Sequence, residues 1–381
     1  MSSAFRVLIA GGGVAALEAV LALRELAGDR VDVTVIAPAD EFVYRPLRVR
    51  EPFALAGARS YSLDDILRDL GAQRLPDSFQ WLDAPARVLH TEQGQSLEYD
   101  ALLLAMGARL HPAFTHALTI DDRILDDQLH GLVQDVEEGY VRSIVFLAPA
   151  PMPWPLPMYE LALMTARRAY DMQAEVAITI VTPEDEPLGI FGAEVSRTVA
   201  RLLDANGIVT IASARGAVPA SGKVTIHPGE RTLQASRIVA LPQLHGPSTP
   251  GVPAGRAGGF IPIDRHCRVQ GLENVFAAGD ATDFPIKLGG IAAQQADTAA
   301  QAIAVLAGAP VAPTPFTPEI RAILLGADTP LYLSAQVSGA HGTRSQISES
   351  PLWSPPSKIV AKYLAPYLEA WDHQGHGAPA R

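Results

Sequence analysis

The chain has 381 residues, of which 48% are apolar and 19% charged, and this indicates a folded globular protein with more than one domain. Its formal net charge of −11 argues against binding to nucleic acid and against adsorption to anionic lipid, because both need a basic surface. A single cysteine, Cys267, excludes an internal disulfide and a two-cysteine redox centre, and it is consistent with the cytoplasm.

The first predicted unit is a strand, a glycine turn and a helix. Arg6 to Ala10 predicts a buried strand, and Val14 begins a helix. The pattern G-x-G-x-x-A begins directly after the strand and ends within the helix. In it, Gly11 permits a sharp turn and Gly13 lets backbone amides approach a pyrophosphate. Ala16 lets helix and strand pack closely, and the helix start offers N–H groups to phosphate. This order of elements predicts a dinucleotide site.

A second strand, Val31 to Ile36, completes a β-α-β unit. An acidic residue at the end of this strand normally holds the ribose hydroxyls of a dinucleotide. Here the strand ends at Ala37-Pro38, and the nearest acids are Asp40 and Glu41. We therefore expect backbone groups or these later acids to hold the ribose.

Four further segments complete the first unit. They predict a loop, a short helix, a small antiparallel set of strands and a return to the buried sheet. In chain order these are Phe42 to Leu47, Ser62 to Leu70, Gln80 to Tyr99, and Tyr99 to Ala105, the last followed by Met106-Gly107-Ala108.

A second β-α-β unit begins near Arg123. The fold class is therefore α/β, with two doubly wound, Rossmann-like domains. Its predicted elements are strand Val141 to Ala148, helix Pro157 to Tyr170, strand Ala174 to Val181, helix Gly192 to Asn206 and strands within Val224 to Ala240.

After a Pro/Gly-rich connector at residues 243–259, the chain returns to the first sheet. Phe260 to Val269 and Asn274 to Ala278 predict strands, and Gly289 to Leu306 predicts a long helix. In the segment NVFAAGDAT, Gly279 would leave space beside a pyrophosphate, and the Asp280 carboxylate would accept a hydrogen bond from a polyol. This segment favours FAD as the dinucleotide.

The C-terminal part predicts a hairpin-and-helix cap. Ile320 to Leu325 pairs with Leu331 to Val337, a polar loop follows, and Ser357 to Trp371 predicts a helix interrupted by Pro366. Its apolar face has only two neighbouring lysines, so we favour packing on the protein or at a homodimer interface over peripheral membrane contact. That face consists of Ile359, Val360, Tyr363, Leu364, Tyr367, Leu368 and Trp371.

Other site classes leave no pattern in the sequence. The ten histidines show no metal-ligand spacing, so we predict no metal site. No apolar run approaches the roughly 18 residues of a membrane-spanning helix. Strand-like sequence begins by Phe5, so we expect no signal peptide.

Together the three motifs resemble the flavoprotein superfamily with two dinucleotide-binding domains, and most of all its branch of sulfide:quinone oxidoreductases and type II NADH dehydrogenases. The resemblance covers nearly the whole chain. It implies an FAD domain at residues 1–118 and 243–314, a second domain at 119–242 and a cap at 315–381. It implies FAD contacts from Gly11, Gly13, Val14, Ala15, Ala16, Ala37, Arg45, Pro46, Val88, Ala105, Gly107, Gly279, Asp280, Lys287, Gly290 and Ile291.

In that resemblance the adenine lies near Val88, Asp280 holds the ribitol, and Arg45 and Pro46 lie along the isoalloxazine ring. The helix that follows Lys287 points its positive end at the flavin pyrimidine. Lys287 is therefore a candidate catalytic residue, with a surface lysine as the alternative.

The chain departs from the family at its second turn. A nicotinamide-binding domain needs a glycine turn after its first strand, but Ala148 to Pro157 contains no glycine and alternates with proline. Proline removes N–H donors, so we expect no standard NAD(P)H binding.

It also departs at the redox cysteines. In PWPLPMYELA, Trp154 stands where sulfide:quinone oxidoreductases carry a cysteine six residues before the glutamate, here Glu160. No cysteine follows Cys267, for which we predict a place in the core. Trp154 is a second candidate catalytic residue, either binding substrate or filling the space over the flavin, and Glu160 either joins that pocket or is an ordinary helix acid.

These observations favour a FAD-dependent oxidoreductase of the sulfide:quinone oxidoreductase type without the cysteine pair. It would pass electrons from a small-molecule donor to a quinone-like or protein acceptor. The alternatives are an NAD(P)H dehydrogenase with an unconventional nicotinamide site and a non-catalytic flavin-binding sensor or partner protein.

Overall fold

The structure, a computed structural model, describes residues 4–255, 258–338, 341–375 and 377–379. The first part of the chain forms most of one parallel sheet and two small antiparallel sheets beside it. Its elements are β1 (Phe5–Ala10), α1 (Val14–Ala27), β2 (Val31–Ile36), β3 (Glu41–Val43), a 3₁₀ helix (Arg45–Phe53), β4 (Arg59–Ser62), α2 (Leu63–Asp69), β5 (Gln73–Leu75), β6 (Phe79–Asp83), β7 (Val88–Thr91), β8 (Ser96–Glu98), β9 (Ala101–Leu104) and β10 (Arg109–His111).

The middle part forms a second parallel sheet with its helices. Its elements are β11 (Leu118–Thr119), α3 (Leu125–Glu137), β12 (Ser143–Leu147), α4 (Leu156–Asp171), β13 (Ala177–Val181), α5 (Ala193–Ala205), β14 (Ile208–Ile211), β15 (Arg215–Ala220), β16 (Lys223–His227), β17 (Arg231–Gln234) and β18 (Arg237–Ala240).

The last part returns to the first sheet and then forms a cap. Its elements are β19 (Gln243–His245), β20 (Val275–Ala277), α6 (Gly289–Leu306), β21 (Glu319–Leu324), β22 (Leu331–Ser338), β23 (His341–Ser348), α7 (Leu364–His373) and β24 (Ala378–Pro379).

The two five-stranded sheets are both parallel, and this confirms the α/β, doubly wound fold class. Their strand orders are β20-β9-β1-β2-β5 and β11-β18-β12-β13-β14. The first sheet gains β20 only after the chain has completed the second, so the first domain is split in sequence. The chain passes between the two sheets twice, and the segments that make these connections pair with each other as the antiparallel strands β10 and β19.

One face of the first sheet packs on alanine-rich helices, and strands β6 and β7 with nearby loops cover the other face. Strand β9 is a continuous apolar run, and β1 is apolar after Arg6, because both faces of the sheet are covered. Helices α1 and α6 pack against each other. Their buried alanines, which include Ala16, Ala19, Ala293 and Ala296, let the two backbones approach closely. This packing brings the start of α6 beside the start of α1.

Several predicted elements differ from the structure. The predicted loop at Phe42 to Leu47 contains β3 and the beginning of a 3₁₀ helix. The predicted strand at Phe260 to Val269 makes only isolated bridges, among them Ile263 with Val269. The polar loop after β22 contains β23, which pairs with β22 and turns the predicted hairpin into a three-stranded sheet.

The predicted C-terminal helix begins too early. The helix starts at Leu364, because the carboxylate of Glu18 accepts the backbone N–H groups of residues 362–364 at that point. Pro366 does not interrupt the helix, since it lies in the first turn, where a missing N–H costs nothing. Ile359, Leu364 and Leu368 are buried against the first domain, so the strip packs on the protein itself.

Candidate active site

The turn after β1 is shaped by its glycines. Gly11 has a φ of +122°, and a Cβ at this position would clash with the carbonyl group of Ala105. Gly13 directly precedes α1, and a Cβ there would project into open space. No described side chain caps α1, and its first turn carries no acidic residue. The helix start therefore directs backbone N–H groups towards the adjoining cleft, as an anion site requires.

A cleft of about 640 Å³ runs from this turn across the carboxyl ends of the first sheet. It brings together most of the residues predicted to hold the cofactor. Those that line it are Gly11, Gly13, Val14, Ala15, Ala37, Arg45, Pro46, Ala105, Gly107, Gly279 and Asp280.

Five predicted residues lie outside this lining. Ala16 is fully buried and serves the packing of α1. Val88 lies in β7, and Lys287 lines an adjoining cavity. Gly290 and Ile291 lie in the first turn of α6 and are buried, whereas the preceding residue, Gly289, lines the cleft.

The wall beyond β2 consists mainly of residues with small side chains. Ala37, Pro38 and Ala39 line the cleft, and Arg74 donates a hydrogen bond of 2.9 Å to the carbonyl oxygen of Ala39. Of the two later acids, Glu41 lines the cleft and Asp40 does not. The ribose contact predicted for this region thus has both backbone groups and one carboxylate within reach.

The far end of the cleft contains residues that sequence reasoning missed. Ser78 and Phe79 at the start of β6, with Pro247 and Thr249 from the connector, line it in place of Val88. The sequence holds no signal for the connector residues, because only the return of the chain to the first sheet brings them here.

Gly279 and Asp280 follow β20 at the centre of the cleft. A Cβ at Gly279 would lie 3.3 Å from the Cβ of Ala292, and the N–H of Gly279 donates to Oε1 of Gln295 at 2.8 Å. Burial, with Asp122 nearby, raises the pKa of Asp280, and Lys287 opposes this. No hydrogen bond from the described residues reaches the Asp280 carboxylate, so it is free to accept one from a ligand hydroxyl.

A second cavity, of about 510 Å³, adjoins the cleft. The two share Arg45, Asp122, Asp280, Gly289 and Ile359 among their lining residues, so together they form one opening. The second cavity lies between the first domain, the second domain and the cap.

Lys287 lines this second cavity. Its ammonium group donates to the carbonyl oxygen of Thr282 and lies 4.0 Å from the centre of the Phe260 ring. Burial lowers the pKa of Lys287 to about 8, although Asp280 and Asp283 act in the opposite direction. The structure therefore places Lys287 at the site and not on an open surface.

Trp154 forms part of the opposite wall. It lines the cavity together with Pro153 and Pro157, and its ring meets Phe191 edge to face at 5.8 Å. The cavity remains open beside it. Trp154 is thus a fixed wall of the cavity.

A buried ion pair closes the side near the cap. Lys358 donates to both oxygens of Glu160, at 2.7 and 2.8 Å, and the Leu325 N–H donates to the same carboxylate at 3.0 Å. Burial raises the pKa of Glu160, and the Lys358 charge opposes this. Both Glu160 and Lys358 therefore line the cavity. In the sequence, Lys358 stands out only as one of the two lysines beside the apolar C-terminal face, and its place here was not predicted.

The lone thiol lies elsewhere. Cys267 is fully buried in the core of the first domain, and burial raises the pKa of its thiol. Among the described residues, no three His, Cys, Asp or Glu side chains lie together as a metal ion would need. No helix in the described part of the chain combines the length and apolar character needed to cross a membrane.

Comparison with known proteins gives several sequence relatives and many structures. No protein-family model matches the chain. An NADH dehydrogenase-like protein of Mycobacterium tuberculosis is 27% identical over 296 residues, which are 72% of each chain. The sulfide:quinone oxidoreductase of Aquifex aeolicus superposes with a TM-score of 0.78 at 19% identity, over 98% of this chain and 90% of that one.

A ferredoxin reductase of Rhodopseudomonas palustris superposes with a TM-score of 0.64 at 18% identity, over 88% of this chain and 83% of that one. Both superpose over most of the fold described above. The chain therefore has the fold of the flavoprotein oxidoreductases with two dinucleotide-binding domains, the group that its three motifs resemble.

Proposed function

We propose that this protein is a FAD-dependent oxidoreductase that passes electrons from a small donor to a quinone-like or protein acceptor without a redox cysteine pair. The observation that carries the proposal is the continuous opening from the glycine turn to the second cavity. One end suits a pyrophosphate and the centre offers a free carboxylate, while the other end is open to a reactant.

The residues present fit FAD. The start of α1 would face the pyrophosphate, Asp280 would accept a hydrogen bond from the ribitol, and Gly107 would leave room for the cofactor. When bound, FAD would supply the redox chemistry, accepting electrons from a donor and passing them to an acceptor. Lys287 would hold a positive charge beside the reacting atoms, and Trp154 would exclude water from the same space.

The second cavity supports a quinone-like reactant. Its lining is apolar apart from charged side chains, and the described lining includes no Ser, Thr, Asn, Gln or His. The charged residues are the cations Arg45, Arg123, Lys287, Arg321 and Lys358 and the acids Asp122, Glu160 and Asp280. A flat apolar ring with oxygen acceptors suits these walls and cations.

The alternative, an NAD(P)H dehydrogenase, has the name of the mycobacterial relative in its favour. Against it stands the second turn, at residues 148–155, where four prolines leave few N–H donors for a pyrophosphate. The lack of a thiol at Trp154 also argues against sulfide as the donor.

Anaerobic stopped-flow measurements of flavin absorbance test the proposal. Protein reduced with dithionite should be reoxidised by a soluble short-chain quinone at a saturable rate well above that of free FAD. The oxidised protein should react slowly with NADH, NADPH and sulfide, without saturation at millimolar concentration. Saturable reduction by NADH at micromolar concentration would support the dehydrogenase instead, and quinone reoxidation no faster than that of free FAD would contradict the proposed acceptor.

A further inference from the structure

The second domain repeats the backbone hydrogen bonds of the first dinucleotide turn. In the first domain, the N–H of Gly11 donates to Ile36 O at 2.9 Å and that of Ala37 donates to Leu75 O at 3.0 Å. In the second, Ala148 donates to Val181 O and Thr182 donates to Ile211 O, both at 3.0 Å. Thr182 therefore stands where Ala37 stands, directly after the second strand of its unit.

By the same correspondence Glu184 stands at the place of Ala39, which lines the first cleft. In a dinucleotide-binding domain an acid after the second strand holds the ribose hydroxyls. In the second domain Thr182 takes the place directly after the strand, and Glu184, two residues later, is the first carboxylate that could serve a nicotinamide dinucleotide in this way.

This carboxylate is already occupied by the protein. Oε2 of Glu184 accepts the hydroxyl hydrogen of Tyr159 at 2.5 Å and that of Thr182 at 2.9 Å. Tyr159 is fully buried on α4, so its hydroxyl group cannot donate to solvent instead. Burial raises the pKa of Glu184, while both hydroxyl donors oppose this, so the chain itself satisfies the carboxylate.

The long turn covers the same place. The first turn needs only residues 11–13 between strand and helix, whereas the second spans residues 148–155. Its Met152 Sδ lies 3.8 Å from Oγ1 of Thr182, and its Trp154 packs on Phe191. The turn therefore folds over the end of β13.

We infer that the chain fills its own second dinucleotide site, with Tyr159 and Thr182 taking the Glu184 carboxylate and Met152 covering the strand end. Tyr159 is then a specificity-determining residue, since it withholds the ribose-binding acid from nicotinamide dinucleotides. The second domain serves as a wall of the reactant cavity, and electron donors reach that cavity directly. This inference rests on the proposed function only in treating the protein as an FAD enzyme.

Isothermal titration calorimetry of the FAD-loaded protein with NADH tests the inference. The variant Tyr159→Phe/Met152→Gly removes the phenol and the cover, and each protein is also made with Glu184→Gln. The unaltered protein should show no saturable binding at millimolar NADH, with or without Glu184→Gln. The double variant should bind at least about tenfold more tightly, and Glu184→Gln should abolish that gain.

Two results would overturn the inference. One is NADH binding by the unaltered protein that Glu184→Gln weakens, because the site would then be open. The other is a double variant that binds no better than the unaltered protein. If the double variant does not fold, Tyr159→Phe alone is held to the same criterion. The FAD content of each sample is measured separately, so a protein without FAD contradicts the proposed function and not this inference.

Discussion

Asp280 and Lys287 lie on either side of a short turn and face the same opening. Burial disfavours the charge of each, raising the pKa of the carboxyl group and lowering that of the ammonium group. Their mutual attraction offsets part of this cost. Paired, desolvated groups of this kind at a cavity are a mark of binding and catalytic sites.

The Asp280→Ala variant should lose most of its FAD affinity, because the ribitol would lose its acceptor. A charge-assisted hydrogen bond contributes about 1.5–3 kcal/mol, so the Kd for FAD should rise on the order of tenfold to a hundredfold. Asp283→Ala is the matched control, since Asp283 is exposed and lies outside both cavity linings. Fluorescence titration of the apoprotein measures both, and equal Kd values for Asp280→Ala and the unaltered protein would contradict this ribitol contact.

For single residues, local sequence patterns predicted many of the residues that line the first cleft, but they did not predict contacts between residues far apart in the chain. Gly11 and Gly279 were found because a turn that packs against a backbone or a helix leaves a glycine in the sequence, and Gly13 was found because it completes the G-x-G-x-x-A pattern. The pairing of Glu160 with Lys358 spans 198 residues and leaves no local pattern. The Tyr159–Glu184 contact was missed in the same way, because nothing near either residue indicates its partner.

Among the elements, α7 is held by a carboxylate from α1. Glu18 is fully buried and accepts N–H groups of Lys362 at 2.9 Å, Tyr363 at 3.1 Å and Leu364 at 2.6 Å. Asp297 on α6 and the Lys362 ammonium group also face this place, and they form an ion pair of 3.9 Å. Glu18 thus connects the helix of the glycine turn to the cap.

This contact predicts a pH-dependent stability. Burial raises the pKa of Glu18 from 4.5 to about 7, so the folded protein binds this proton more tightly than the unfolded chain. The stabilisation from Glu18 is therefore complete below about pH 4.5 and is lost as the pH rises through 7, by at most about 3 kcal/mol.

Urea unfolding of the unaltered protein and of Glu18→Gln, at pH 5 and pH 8, measures this effect. Because the amide does not titrate, the stability advantage of the unaltered protein over the variant should shrink from pH 5 to pH 8. An advantage that stays constant or grows over this range would show that the Glu18 carboxylate is ionised throughout.

Among the helices, the sequence predicted the bounds best where the composition is uniform along the helix. Helix α6 was predicted at Gly289–Leu306, the range it occupies, because the segment is rich in alanine and glutamine and contains no proline and no glycine after its first two residues. Helix α3 was missed, although Leu125, Leu129, Leu132 and Val136 have helical spacing and are buried. The start of α7 could not be predicted, since its cap comes from Glu18 at the other end of the chain.

For the whole molecule, the two β-α-β units have diverged in opposite ways. The first keeps an open glycine turn, and Glu41 lines its cleft, while the second has no glycine in its turn and engages Glu184 with the hydroxyl groups of Tyr159 and Thr182. We propose domain boundaries near residues 118, 242 and 314, where the chain passes between the sheets and into the cap. Strand β11 straddles the first of these, so that boundary belongs a few residues earlier.

The bound flavin per chain tests the central claim most directly. The purified protein is saturated with FAD, freed of excess by gel filtration, and its flavin is quantified from the visible spectrum after denaturation. The glycine turn, the open cleft and Asp280 predict about one FAD per chain. A protein that is folded, as judged by circular dichroism, and yet retains no flavin would contradict the account.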